Sequence, residues 1–341
     1  MPLPSALTLS ERLRYRSLWK NLRGEFKGEL ARLEEGLRQA AQGASAPLPD
    51  AALQLLEAGG KRVRPLLAWL SAAAVGGRPA LANPVALAAE LTHAATLLHD
   101  DVLDDAAQRR GVPAARILHG NRISILAGDF LLTRALESVL PTRSEEILRS
   151  YTACLRQMVE GEVIQQNERF KADVTESAYR DIIARKTAAL FAWAAKAGAL
   201  TGGADAAMAQ ALERFGLGMG SAFQILDDLL DWVGEGTLVG KAVRSDLKEG
   251  KPSLAVIYGC EESPDVRSWF ETHLRPDAPA PAEEEISRLA GQLSACGALA
   301  RVRKALEEET ARAVSALDAL ADTPQRARLA RFAGLLLARE T

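Results

Sequence analysis

A chain of 341 residues, 48% of them hydrophobic, can bury a large core. Its formal net charge of −2 lacks the basic excess that a nucleic-acid binder needs. The three cysteines, Cys154, Cys260 and Cys296, are odd in number and far apart, which argues against a disulfide framework or a zinc site and fits a reducing, cytoplasmic compartment.

Ala, Leu, Arg and Glu dominate and aromatics make up 5%. Apolar residues recur with the helical spacing i, i+3, i+4, i+7, and alternating strand-like runs are nearly absent. The chain therefore reads as all-α. The first twenty residues, MPLPSALTLSERLRYRSLWK, lack the apolar run of a secretory leader. In chain order, one helix is predicted from Asp50, a good N-cap, to the stop Gly59-Gly60. A second starts near Pro65, a third runs from about Pro84 to Asp105, and a fourth from about Ser124 to Leu140. Ser144 caps the next, with Glu145 and Glu146 in its first turn. Thr175 opens a helix that ends at Gly202-Gly203, and Asp205 opens its successor, which runs to Trp232. The stretch 234–240 reads as a loop and Arg275 to Pro281 as a surface linker. Amphipathic helices follow, the last from about Pro324. No composition break forces a second domain, so residues 1–341 read as one helical domain. Its motifs lie within 50–258, and the helices of about 262–341 are peripheral. No apolar run reaches the roughly 20 residues of a membrane span.

Two acidic motifs of the form DDxxD stand at the ends of long apolar helical stretches. They are HDDVLDD (99–105) and QILDDLLD (224–231). Residues four apart share a helical face, so Asp100 converges with Asp104 and Asp227 with Asp231. Like charges at that spacing destabilise a helix, and Leu, Ile, Val and Phe surround them. A cation is therefore called for. Hard carboxylate oxygens suit Mg²⁺, which shares its coordination shell with substrate phosphates. Neither motif has the glycine and distal Glu of an EF-hand.

Three basic stretches supply the opposite character. GGKRVRP (59–65) joins a helix stop, a hinge and a helix start, and its cations can hold phosphate oxygens. RRG (109–111) follows the first acidic motif and offers bidentate arginine contacts. Gly240-Lys241, continuing to Lys251, follows the second. No P-loop and no placed GxGxxG is present, which leaves a nucleotide fold without support.

In this order the motifs resemble one family, the trans-type isoprenyl diphosphate synthases, or polyprenyl synthetases. The likeness covers roughly Asp50 to Tyr258. It rests on GGKRVRP, LLHDDVLD (97–104), RRG, GDFLL (128–132), GEVIQ (161–165), KTAALF (186–191), FQILDDLLD (223–231) and DLKEGKPSL (246–254). The resemblance implies an all-α helical bundle around a deep central cavity, usually as a homodimer. It implies metal ligation by Asp100, Asp104 and Asp227, with Asp231 a further, partly water-mediated contact. Lys61, Arg64, His93 and Arg110 are then expected to bind isopentenyl diphosphate, and Arg109, Lys186 and Lys241 an allylic diphosphate. Thr187 and Gln224 fall where the family places polar groups near the developing carbocation. Ser253, Ala255 and Asp105 depart from the usual Thr, Pro and Glu, and none is an expected ligand. His99 is given no catalytic role.

The implied reaction is ionisation of the allylic diphosphate, attack by the isopentenyl double bond, and loss of a proton to the departing diphosphate. No nucleophile or triad is needed, and none is evident. Chain length, in the family, is set below the first aspartate motif. Thr96, Ala95, Thr92, Leu91 and Ala88 precede it on the same helix, with no aromatic among them and no insertion between Asp101 and Asp104. A product longer than C20 is predicted. The competing readings are a geranylgeranyl diphosphate synthase, a terpene cyclase and a non-catalytic partner subunit. GGKRVRP and RRG speak against the cyclase, and the two intact DDxxD motifs against the inactive subunit. A lipid product would leave at a membrane surface, although no spanning segment is expected.

Overall fold

The computed structural model describes residues 9–233, 247, 249–273, 275 and 281–337. Helices α1 (Leu9–Glu25), α2 (Lys27–Ala41), α3 (Leu48–Glu57) and α4 (Val63–Ala74) lead into α5 (Asn83–Leu103). A two-residue hairpin, β1 (Gln108–Arg109) with β2 (Val112–Pro113), and the short α6 (Ala115–His119) connect α5 to α7 (Asn121–Val139). Then come α8 (Glu145–Glu168), α9 (Glu176–Ile183), one π turn (Ala184–Ala188), α10 (Ala189–Thr201) and α11 (Ala206–Val233). The chain closes with α12 (Leu254–Glu262), α13 (Pro264–His273), α14 (Glu283–Ala295), α15 (Ala298–Ser315) and α16 (Pro324–Leu337).

The caps behave as their side chains dictate. Ser144 Oγ accepts from Ile147 N at 3.3 Å, Thr175 Oγ1 from Ala178 N at 3.2 Å, and Asp205 Oδ1 from Met208 N at 2.8 Å. Asp50 is not the N-cap that its residue type suggests. The helix begins two residues earlier, after Pro47, and Asp50 lies in its first turn, where a carboxylate still favours the helix dipole. The predicted single helix from Thr175 is interrupted by the π turn. The hairpin is local structure that periodicity did not signal.

The core is built by α4, α5, α7, α8, α10 and α11. Helix α5 packs on α7 and α4, and α10 packs on α11, α4 and α8. Helix α10 sits close to α4 because Gly198 carries no side chain. A Cβ there would stand 2.3 Å from the Ala68 carbonyl oxygen. Trp69, Leu91, Phe191 and Phe215 are fully buried between these helices. From the C-terminal part, α15 lies along α11 and α16 against α4, and Phe332 stacks on Trp19 of α1. Among the described residues, no helix is long and apolar enough to cross a membrane.

Candidate active site

The first acidic motif forms the last turn of α5, with the Asp104 amide donating to the Asp100 carbonyl at 2.8 Å. Burial pushes the Asp100 carboxyl above its ordinary range, and Glu162 and Asp104 push it further, against Lys186 and Lys251. Asp104 Oδ2 accepts from Lys251 Nζ at 2.7 Å, while its Oδ1 is buried with no partner. An unsatisfied carboxylate oxygen beside a second buried carboxylate is short of positive charge. The donor set, hard oxygens without sulfur or imidazole, suits a divalent ion such as Mg²⁺. Among the described residues no three ligating side chains form a ready-made cluster. One or two carboxylates are what Mg²⁺ commonly takes from a protein beside substrate phosphates.

Between these two aspartates Asp101 does something different. It is 1% exposed, and its Oδ1 accepts from Arg109 Nε at 2.7 Å and also from Arg109 Nη2. This pair fastens the hairpin to the end of α5.

The π turn is the hinge of the site. Lys186 Nζ donates to Gln165 Oε1 at 2.7 Å and pairs with Glu162, both on α8. The close approach depends on Gly161, where a Cβ would stand 2.6 Å from the Lys186 amide nitrogen. The next residue, Thr187, donates to Gln224 Oε1 of α11 at 2.9 Å. Gln224 Nε2 in turn donates to Asp228 Oδ1 at 2.7 Å, and Tyr179 of α9 donates to Asp228 Oδ2 at 2.6 Å. Lys186 thus faces Asp100 of the first motif while Thr187 is tied to the second. The widened turn lets two consecutive residues serve two helices. On α11, Asp228 is buried, Asp231 half-buried and Asp227 exposed.

A cationic cluster stands around His93, two helical turns before Asp100 on the same face of α5. Burial, followed by the charges of Arg64, Arg110, Arg109 and Arg62, holds His93 far below its ordinary value, so its ring is neutral. Burial lowers Arg64 to about 10, with Glu90 opposing. The Arg64 guanidinium lies 4.6 Å over the Phe191 ring, and its Nε is buried without a partner. Arg110 donates to the Gly59 carbonyl. Arg64, Arg109 and Arg110 beside one neutral histidine make a place for an anion, while the Arg62 guanidinium is taken up by Glu34 and Glu90. Lys61 is exposed at its edge. Lys241 lies outside the described residues.

Of the residues expected to set chain length, Ala95 is fully buried. Thr96 Oγ1 donates to the His93 carbonyl at 2.9 Å. Thr92 Oγ1 donates to the Ala88 carbonyl at 2.7 Å and lies 2.5 Å from the Tyr151 hydroxyl. Tyr151, from α8, packs on Trp193 at 4.5 Å between ring centroids. An aromatic pair therefore stands opposite a helix face that has none of its own.

The chain matches the family model described as polyprenyl synthetase over residues 46–290. The chain belongs to the polyprenyl synthetase family. It is a prenyltransferase. It is 36% identical to octaprenyl diphosphate synthase of Escherichia coli (strain K12), over 84% of this chain and 88% of that one. It is 35% identical to geranylgeranyl diphosphate synthase of Methanosarcina mazei, over 86% of this chain and 90% of the relative. Among solved structures it resembles polyprenyl synthase from Caulobacter crescentus CB15, complexed with calcium and isoprenyl diphosphate. The TM-score is 0.89 at 32% identity, covering 95% of this chain and 98% of that one.

Several participants carry no functional signature in the sequence. Glu162 and Gln165 lie in the GEVIQ stretch, which gave a family match without a function. Lys251 was one of several lysines in a basic run. Tyr179, Glu34 and Glu90 had no local signal, because their partners are 49, 28 and 28 residues away.

Proposed function

We propose that this prenyltransferase condenses isopentenyl diphosphate with an allylic diphosphate, head to tail, in a magnesium-dependent reaction that yields a trans-polyprenyl diphosphate longer than C20. One observation carries the reading. Asp100, whose carboxyl burial pushes up, and Asp104, one oxygen of which is buried with no partner, stand at the end of α5, and the guanidinium groups of Arg64, Arg109 and Arg110 surround His93 two turns back on the same face of that helix. A substrate pair rich in phosphate, taken together with a divalent ion, satisfies both.

Asp100, Asp104 and Asp227 would hold the ion, with Asp231 contributing through water. Bound there, Mg²⁺ supplies Lewis-acid stabilisation of the diphosphate as it leaves. Lys186, Arg109 and Lys241 hold the same allylic diphosphate and act as fixed counter-charges that need no reorganisation during ionisation. Lys61, Arg64, Arg110 and the neutral His93 bind and orient isopentenyl diphosphate. Thr187, donating to Gln224, presents an oxygen lone pair to the carbon that becomes positive. The apolar wall keeps water from the cation.

Two supports bear on length. Ala88 and Ala95 leave the α5 wall small, and the Escherichia coli relative is named an octaprenyl diphosphate synthase. A product that stops at C20 is the second reading. It is favoured by the Thr92–Tyr151 contact, about 12 Å along the helix from Asp100, and by the Methanosarcina relative. The exposed apolar residues Ile117, Leu118, Ile125 and Leu126 on α6 and α7 support a homodimer, and we assign the activity to the cytoplasm.

The test is product chromatography after incubation with Mg²⁺, farnesyl diphosphate and labelled isopentenyl diphosphate. Products beyond C20 that vanish with EDTA support the proposal. Accumulation of C20 alone selects the second reading, and no elongation at all refutes both.

A further inference from the structure

Arg62 is 3% exposed and spends every arm of its guanidinium. Its Nε and Nη2 donate to the two carboxylate oxygens of Glu34 on α2, at 2.8 and 2.9 Å. Its Nη1 donates to Glu90 Oε1 on α5 at 2.8 Å, and Nη2 also reaches the Leu56 carbonyl at the end of α3, at 3.1 Å. One side chain thus joins three helices. Its backbone is left-handed, φ 51° and ψ 43°, a conformation that disfavours any residue with a Cβ and persists only where contacts enforce it.

The residues beside it matter most. Lys61 precedes it, and the Lys61 carbonyl accepts from Arg23 of α1 at 3.0 Å. Arg64 follows two residues later and turns into the cationic cluster. Glu90 also lends negative charge to Arg64 and Arg110. A guanidinium held bidentately on one carboxylate and singly on another cannot rotate without breaking charge-assisted bonds. The direction of the turn between α3 and α4 is therefore fixed by Arg62, and with it the directions of Lys61 and Arg64.

We propose that Glu34, Arg62 and Glu90 form a positioning clamp that aims Lys61 and Arg64 at the diphosphate of isopentenyl diphosphate, and that the N-terminal helices α1 and α2 are thereby part of the substrate site. The inference rests on the assignment of Lys61 and Arg64 to that diphosphate. None of the three clamp residues touches substrate. Glu34 and Arg23 lie before residue 46, where the family match begins. The clamp is built partly from sequence outside it.

The decisive variant is Glu34→Gln. Its side chain is 39% exposed, so the fold tolerates it, and the amide keeps the size while removing the charge. KM for isopentenyl diphosphate should rise about tenfold, with kcat and KM for the allylic substrate within about twofold, a loss of uniform binding for one substrate only. Arg62→Lys, which keeps the charge but loses the fork, should move the same constant in the same direction by more. Lys61→Ala is the control and should also raise KM for isopentenyl diphosphate. A Glu34→Gln protein that melts lower yet keeps both KM values makes the clamp a stability staple and overturns the proposal, as do equal rises for both substrates. If Lys61→Ala raises KM and Glu34→Gln does not, only the clamp fails. If Lys61→Ala leaves KM unchanged, the diphosphate assignment fails and the clamp falls with it.

Discussion

The two DDxxD motifs are alike in sequence and divide their labour in the same way, but they are anchored differently. In each, the middle aspartate is withdrawn from the site. Asp101 is 1% exposed and Asp228 is 7% exposed. Asp101 binds a cation, Arg109, and so ties its motif to the hairpin that carries RRG. Asp228 accepts from Tyr179 and Gln224, and so ties its motif to α9 and, through Thr187, to the π turn. A repeated acidic motif is thus a repeated pair of outer aspartates, the proposed metal ligands, around a non-repeated anchor. The anchor decides which basic or polar partner is delivered beside them.

The comparison is broken most severely at an outer aspartate. Asp100→Ala should lower kcat by about 10³-fold or more, since on the proposed assignment it removes a ligand of the ion that offsets the leaving charge. The melting temperature should hold or rise, because a buried like-charge contact disappears with it. Near-normal turnover from this variant would remove the metal assignment.

The middle aspartates should respond in another currency. Asp101→Asn leaves Arg109 without its counter-charge, and the Arg109 side chain is 17% exposed. A fully buried broken pair costs about 3–5 kcal/mol, and partial exposure of Arg109 brings the expectation to about 2 kcal/mol in chemical denaturation. On the other motif, Asp228→Ala removes the acceptor that fixes the Gln224 amide. Gln224 then loses its set orientation toward Thr187, and kcat should fall about tenfold. If Asp101→Asn were the variant with the larger kcat loss, and Asp228→Ala the one that merely unfolds earlier, the assignment of anchors would be reversed.

Much of this is legible in the sequence, for physical reasons. Helix positions followed from apolar periodicity, and the caps Ser144, Thr175 and Asp205 mark helix starts because a short polar side chain satisfies an orphan amide locally. The acidic pairs were legible because four-residue spacing is itself geometry. What stayed hidden depends on distance along the chain or on backbone form. The π turn at Ala184–Ala188 has no spacing signature, and without it Lys186 and Thr187 would not serve different helices. The withdrawal of Asp101 and Asp228 depends on Arg109 and on Tyr179, neither of which is fixed by the motif. Glu34 looked like one more charge on an amphipathic helix until folding set it against Arg62.

The mildest perturbation sharpens the comparison furthest. Tyr179 is 1% exposed, and its hydroxyl gives Asp228 Oδ2 a bond of 2.6 Å. Tyr179→Phe keeps the ring and its packing, so no large cavity opens. It withdraws one donor from a buried carboxylate oxygen, and about 1 kcal/mol of stability should go with it. Gln224 still holds Oδ1, so the orientation passed on to Thr187 survives, and kcat should stay within about threefold of the parent value. Denaturant titration and steady-state turnover on the same preparation separate the two effects. Should kcat drop as far as in Asp228→Ala, the Tyr179 hydroxyl orients the Gln224 amide as well as anchoring α9, and the second motif would be coupled to its wall more tightly than the first is to its hairpin.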